Sequence, residues 1–291
     1  MLGCDCCPLS SLVYWVGVFT IASKVIPVII KKIKGTKPAE LQEKNYEKDV
    51  VYLFQFPGTA TASSLSPFCI KIEAFLRLHK IKFERRNTFS DRGKNELVPF
   101  VELNGEQHCD SHIIIRRLSH IFNLTSYADA QTAAIGHAVD RFIDCHTLNL
   151  LMLAKQPVAD KIVVTMAAAN GAPAFLLPLI AKIGGHFVGK KMGARGAASI
   201  GKFTETEYKE LLRNDLSQLQ TILAEKKFLL GQEPTDVDCT AFGHFGATYY
   251  AIPSARFYLH DLLDSAEFSS LKEYLERVRD RIFSDEFCDE K

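Results

Sequence analysis

Between residues 49 and 124 short apolar runs, alternating stretches and helical periods follow one another, whereas from residue 128 onward only the helical period remains. Val50 to Phe56 is an almost unbroken apolar run stopped by Pro57-Gly58, which predicts a short buried strand. Ser66-Pro67 then supplies an N-cap with proline at the first helical position. Phe68, Ile72, Phe75, Leu76 and His79 share one face behind it, so a helix is predicted over 67–80. Ile81 to Arg86 alternates as a second strand, and Val98 to Leu103 reads as a third. Asn104-Gly105 is a hairpin signal leading to a short fourth strand, Glu106 to His108. Asp110 and Ser111 cap the next helix, with Ile114, Leu118, Ile121 and Phe122 directed inward.

Downstream, Ile135, Val139, Phe142, His146, Leu150 and Leu153 mark one amphipathic helix. Thr204-x-x-Glu207 and Thr235-x-x-Asp238 are capping boxes that open two more. The first continues in phase through Tyr208, Leu212, Leu216, Leu219 and Leu223, the second through Ala241, Phe242, Phe245 and Tyr249. Leu271, Leu275, Val278 and Ile282 mark the last helix. Residues 161–204 stand apart: they contain no Asp or Glu, and seven of the chain's 17 glycines lie between Gly171 and Gly201. Their uncharged part, Ile162 to Ala181, is interrupted by Asn170-Gly171-Ala172-Pro173 and by Pro178, which predicts two short buried helices and not a membrane span. The segment reads either as an ordered insertion or as a mobile basic loop, and its basic remainder also suits contact with an anionic membrane surface.

The amino-terminal segment changes this picture. Residues 9–30 carry one charge, Lys24, and as a helix would span about 33 Å, enough to cross a bilayer. Lys31, Lys32, Lys34 and Lys37 follow it, so the segment predicts a single-pass anchor with the globular part facing the cytosol. The predicted organisation is a cysteine-containing tail (1–8), the anchor (9–30), a polar linker (31–48), an α+β domain (49–124) and a helical domain (128–288) with the insertion 161–204. Cys4, Cys6 and Cys7 in the tail form C-x-C-C, which suits S-acylation beside the anchor or a weak soft-metal site.

With 35 basic against 34 acidic residues the chain has no global field for a polyanion, and nucleic acid is excluded as an expected partner. The nine histidines contain no H-E-x-x-H pair, and there is no phosphate-binding G-x-x-x-x-G-K-[ST], so neither a metal nor a nucleotide is expected in the globular part.

Three motifs in register carry a resemblance: Ser66-Pro67-Phe68-Cys69 at a helix start, Leu97-Val98-Pro99-Phe100 before a strand, and Asp110-Ser111 at the next helix start. With the downstream segment Phe228 to Cys239, they resemble the glutathione transferases, a thioredoxin-like domain followed by an all-helical one. Ser66 to Glu73 and Val98 to Gly105, together with the apolar amino terminus, are similar to the failed axon connections and metaxin-related branch, which includes the nematode cadmium-responsive proteins. The resemblance implies glutathione or a related thiol as ligand or co-substrate, in a stress, heavy-metal or xenobiotic response. The alternative it implies is a non-catalytic interaction module at a membrane, with a protein partner or a homodimer.

Carried over residue by residue, the resemblance makes Pro99 a cis-proline, pairs the Val98 backbone with the peptide, and gives the γ-glutamyl end to Asp110 and Ser111. The last two also read as ordinary helix caps. Ser66 takes the position of a catalytic Ser or Cys, where a hydroxyl at a helix start stabilises a bound thiolate, and it too reads as a plain N-cap. Cys69 matches the second cysteine of a C-x-x-C pair whose first member is absent, or a small buried residue. The loop 87–97 is short where the transferases place a helix, leaving Arg92 and Lys94 as substitutes for the glycyl end.

Overall fold

The computed structural model describes residues 40–169 and 171–287. The chain divides into two compact units, 1–42 and 43–291, and the second carries all the architecture below. The predicted tail with Cys4, Cys6 and Cys7 and the predicted anchor over 9–30 lie outside the described residues. Among the described residues no helix is long and apolar enough to cross a membrane.

The first half of the unit is a four-stranded sheet with two helices. Strand β1 (Val51–Gln55) is buried along its whole length, as its unbroken apolar run requires. It pairs in parallel with β2 (Phe83–Asn87) and antiparallel with β3 (Phe100–Leu103), which pairs antiparallel with β4 (Glu106–Cys109), giving the order β2-β1-β3-β4. Asn104 and Gly105 turn the β3–β4 hairpin with φ of 51° and 82°, the left-handed geometry that this residue pair accommodates. Helix α1 (Pro67–Leu78) crosses between β1 and β2, and α2 (Ser111–Ile121) follows β4. The Val98-Pro99 bond is cis.

The second half is helical. Helix α3 (Ala130–Arg141) runs through a π-helical turn, Phe142–Thr147, into α4 (Leu148–Lys155). The insertion forms α5 (Ala159–Ala169) and α6 (Leu177–Ile200), after which come α7 (Glu205–Leu223) and α8 (Asp236–Ala241). A second π-helical turn, Phe242–Gly246, joins α8 to α9 (Ala247–Tyr250), and α10 (Tyr258–Leu263) and α11 (Ser269–Ile282) close the unit. Both predicted capping boxes are present. In the second, the Asp238 carboxylate also receives the Leu229 N–H at 2.9 Å and the Tyr274 hydroxyl at 2.8 Å, tying three segments together. One apolar core runs through both halves, from Val51, Ile70 and Phe75 to Leu216, Phe242 and Val278. A smaller cluster on the other side of the sheet stacks Phe54 on Phe100.

Three expectations fail, each for a physical reason. Ile135 is 48 % exposed, because the phase inferred from Leu150 and Leu153 runs backwards through a π turn that shifts the face; Gly136 and Ile143 point inward beside the expected Val139. Ile121, in the last turn of α2, is 45 % exposed, and Phe122 packs against the core in its place. The insertion is not two short buried helices. Pro178 stands in the first turn of α6, where proline starts a helix, so α6 runs for 24 residues.

Candidate functional site

Three chain reversals at one end of the sheet converge: the loop into α1, the cis bend before β3, and the junction of β4 with α2. They enclose a cavity of about 400 Å³ lined by Ser66, Val98, Pro99, Asp110 and Ser111, with Asp144 from the helical half and Arg195 from α6. Five residues singled out in the sequence therefore share one wall. Val98 lies just outside the sheet ladder, which begins at Phe100.

Each of the five has a distinct local setting. Ser66 has extended backbone at the start of α1, yet its side chain makes no capping hydrogen bond, so the hydroxyl is not consumed by the N-cap role. Asp110, at φ 74°, does cap: its carboxylate accepts from the backbone N–H groups of His112 at 3.0 Å and Ile113 at 3.3 Å. Ser111 is buried as the first residue of α2.

Cys69 is placed elsewhere. It is fully buried in α1, and burial, against hydrogen bonds with Ser66 and Ser64, pushes its thiol up to about 11. It is a protonated thiol at neutral pH. Arg92 is also otherwise engaged: its guanidinium donates to the carbonyls of Asp91 and Phe89 and lies over the Phe56 ring. Besides His112, the basic side chain lining the cavity is Arg195, from the acid-free insertion.

Behind Ser111 stands an ionic cluster that no motif announced. The Lys71 ammonium, wholly buried in α1, donates to Asp144 at 2.7 Å and Asp140 at 3.0 Å. Asp144 also meets His112 Nε2 at 2.7 Å and His244 Nε2, and Asp140 accepts from the Thr240 hydroxyl. Burial pushes the Asp144 carboxyl up. The hydrogen bonds of His112 and His244, with the Lys71 charge, more than reverse this and hold it far below the carboxylate range. Burial lowers His244, against the pull of Asp144, so it is a neutral ring donating to a carboxylate. Asp144 and His244 each lie in a π turn, and Gly243 makes room for the approach: a Cβ there would stand 2.7 Å from Lys71 Cβ. His112, Asp140 and Asp144 have donor atoms close enough to share a cation, but the Lys71 ammonium already holds the position between the two carboxylates.

A second cavity, of about 220 Å³, adjoins the first across Phe56, Ser66 and Phe68, which line both. Its walls are otherwise Met152, Ile162, Met166, Met192 and neighbouring apolar residues, with Lys155 and Thr248 as polar exceptions. The α5–α6 insertion thus forms part of the walls of both cavities. The sequence signal for Lys71 was a lone basic residue between Ile70 and Ile72; for Lys155 it was the charge ending an apolar helix.

Comparison with known proteins matches two stretches of the unit. The glutathione S-transferase N-terminal domain family matches residues 67–160 and the glutathione S-transferase C-terminal domain family matches residues 212–278. Among solved structures the chain is similar to the β-etherase LigF of Sphingobium sp. strain SYK-6, at TM-score 0.55 and 16 % identity over 81 % of this chain and 98 % of that one. It is also similar to a glutathione S-transferase of Methylobacterium radiotolerans in complex with glutathione sulfonate, at TM-score 0.51 and 13 % identity, covering 83 % and 96 % of the two chains. These likenesses establish the fold. A protein of Drosophila melanogaster, Failed axon connections, is 32 % identical over 263 residues, 85 % of this chain. The chain spans 62 % of that relative's length. The chain belongs to the glutathione S-transferase-like failed axon connections family.

Proposed function

We propose that the chain binds glutathione or a related thiol in the cavity between Ser66 and Ser111, and brings it against an apolar electrophile held in the adjoining cavity. The observation that carries this reading is the shared wall: Ser66, whose hydroxyl is free of capping, lines both cavities. The thiol sulfur would lie at Ser66, the cysteinyl backbone along Val98, and the γ-glutamyl end at Ser111, with Arg195 toward a carboxylate. A hydroxyl donating to the sulfur favours the thiolate, the thiol proton passing to solvent; the thiolate then adds to an electrophilic double bond, forming the carbon–sulfur bond as the π pair shifts to the neighbouring atom, which takes a proton back from solvent. The glutathione sulfonate complex of a protein of this fold supports the ligand class. The proposal includes the tether over 9–30, which would hold the folded unit at the cytosolic face of a membrane and rests on the sequence alone.

Calorimetric titration of the full chain with glutathione tests it. Binding in the millimolar range or tighter, weakened about tenfold by Ser111→Ala, is expected for the loss of a hydrogen bond to a charged group. With a model electrophile, Ser66→Ala should lower kcat with little change in glutathione affinity. No heat at millimolar glutathione would overturn the proposal.

A further inference from the structure

Lys155 is the last residue of α4, and its side chain is buried. Its ammonium donates to the Thr248 hydroxyl at 2.7 Å, and among the described residues no carboxylate lies within ion-pair distance. This contrasts with Lys71, which has two aspartates. Buried cations in proteins are ordinarily paired, because removal from water without a counter-charge is costly. Burial alone acts on Lys155, pushing its pKa down to about 8, so at neutral pH it is still mostly charged. It lines the apolar cavity beside Ser66, where Met152, Met166 and Met192 offer adaptable, polarizable walls.

We infer that Lys155 and Thr248 form a receiving site for the acid group of an apolar carboxylate, whose hydrocarbon part lies among the three methionines. A carboxylate there would accept from the ammonium and from the Thr248 hydroxyl, completing the missing ion pair within a mainly apolar lining. The inference deepens the proposed function by naming the chemical class of its apolar partner, and its test is a binding measurement that does not require the thiol.

The experiment is titration of the full chain with octanoate and with octanol, which differ in the charged head alone. Octanoate should bind at least tenfold more tightly than octanol at pH 7, and the preference should vanish in Lys155→Met while the glutathione titration stays as in the parent. On the unmutated chain, raising the pH from 7 to 10 should remove the preference as the amine loses its proton, which keeps the test valid if the variant does not fold. Equal affinity for both ligands, no octanoate binding, or an unchanged preference in folded Lys155→Met or at pH 10 would each overturn the inference. Loss of glutathione binding with the octanoate preference retained would count against the thiol reading and not this one.

Discussion

At the scale of single residues the unit carries two buried lysines with opposite electrostatic accounts. Lys155 has a folded pKa of about 8 against 10.5 for the free side chain, so the unfolded chain binds more protons between these values. Its penalty is full below pH 8 and is relieved as the pH rises toward 10.5, by about 3 kcal/mol in all. Lys155→Met should therefore raise stability at pH 7, with the advantage fading by pH 10; urea unfolding at both values reads this out. Lys71, by contrast, is paired with two carboxylates. Removing its counter-charge with Asp144→Asn leaves a buried ammonium with one partner and should cost about 3–5 kcal/mol, measurable as a lowered urea midpoint. That Ser66, Val98, Pro99, Asp110 and Ser111 share one wall was anticipated through the resemblance, while Ser66, Asp110 and Ser111 were also legible locally as helix starts. Lys71, Asp144 and His244 were not, since the cluster joins residues 73 and 100 positions apart, and nothing local distinguishes a charge that will be buried from one that will be solvated.

At the scale of elements, α1, the β3–β4 hairpin and the two capping boxes were readable because their signals are local: a proline after a cap, Asn-Gly, and reciprocal side-chain caps. The π turns escaped because they break the period on which helix phase is judged. Helix α6 escaped for another reason. Its buried side is glycine, at Gly185, Gly189 and Gly196, while Leu179, Ile183 and Phe187 are 55 %, 64 % and 67 % exposed. The apolar pattern thus points away from the packed face. The glycines are there for close approach to the preceding segment: a Cβ at Gly185 would stand 2.7 Å from Asp160 Cα, and one at Gly196 2.7 Å from Leu153 Cδ2. Gly185→Leu should consequently lose about 1–3 kcal/mol through overpacking against backbone, whereas Phe187→Ser should stay within about 0.5 kcal/mol. Thermal melts of the two variants separate the faces, and a destabilised Phe187→Ser would refute this assignment.

At the scale of the whole unit, one core passes without interruption from the sheet half into the helical half, and the Lys71 cluster crosses the same boundary. The two halves should therefore unfold together, giving coincident transitions by near- and far-ultraviolet circular dichroism. Two separate transitions would show that the shared core does not couple them. An α+β half followed by a helical half was legible at this scale from the order of elements, and the fold class from the resemblance, but the way the halves meet was not, because it depends on charges contributed by both.

Asp144 gives that meeting surface a second meaning. The same carboxylate that binds Lys71 and the two imidazoles also forms part of the wall of the larger cavity. A guest in the cavity and the cohesion of the two halves thus draw on one group, and linkage makes their effects mutual. Under the proposed function, whatever stabilisation a bound thiol lends to the two halves equals the loss of its affinity when the seam is weakened, so its binding reports on the ion pair behind the cavity wall.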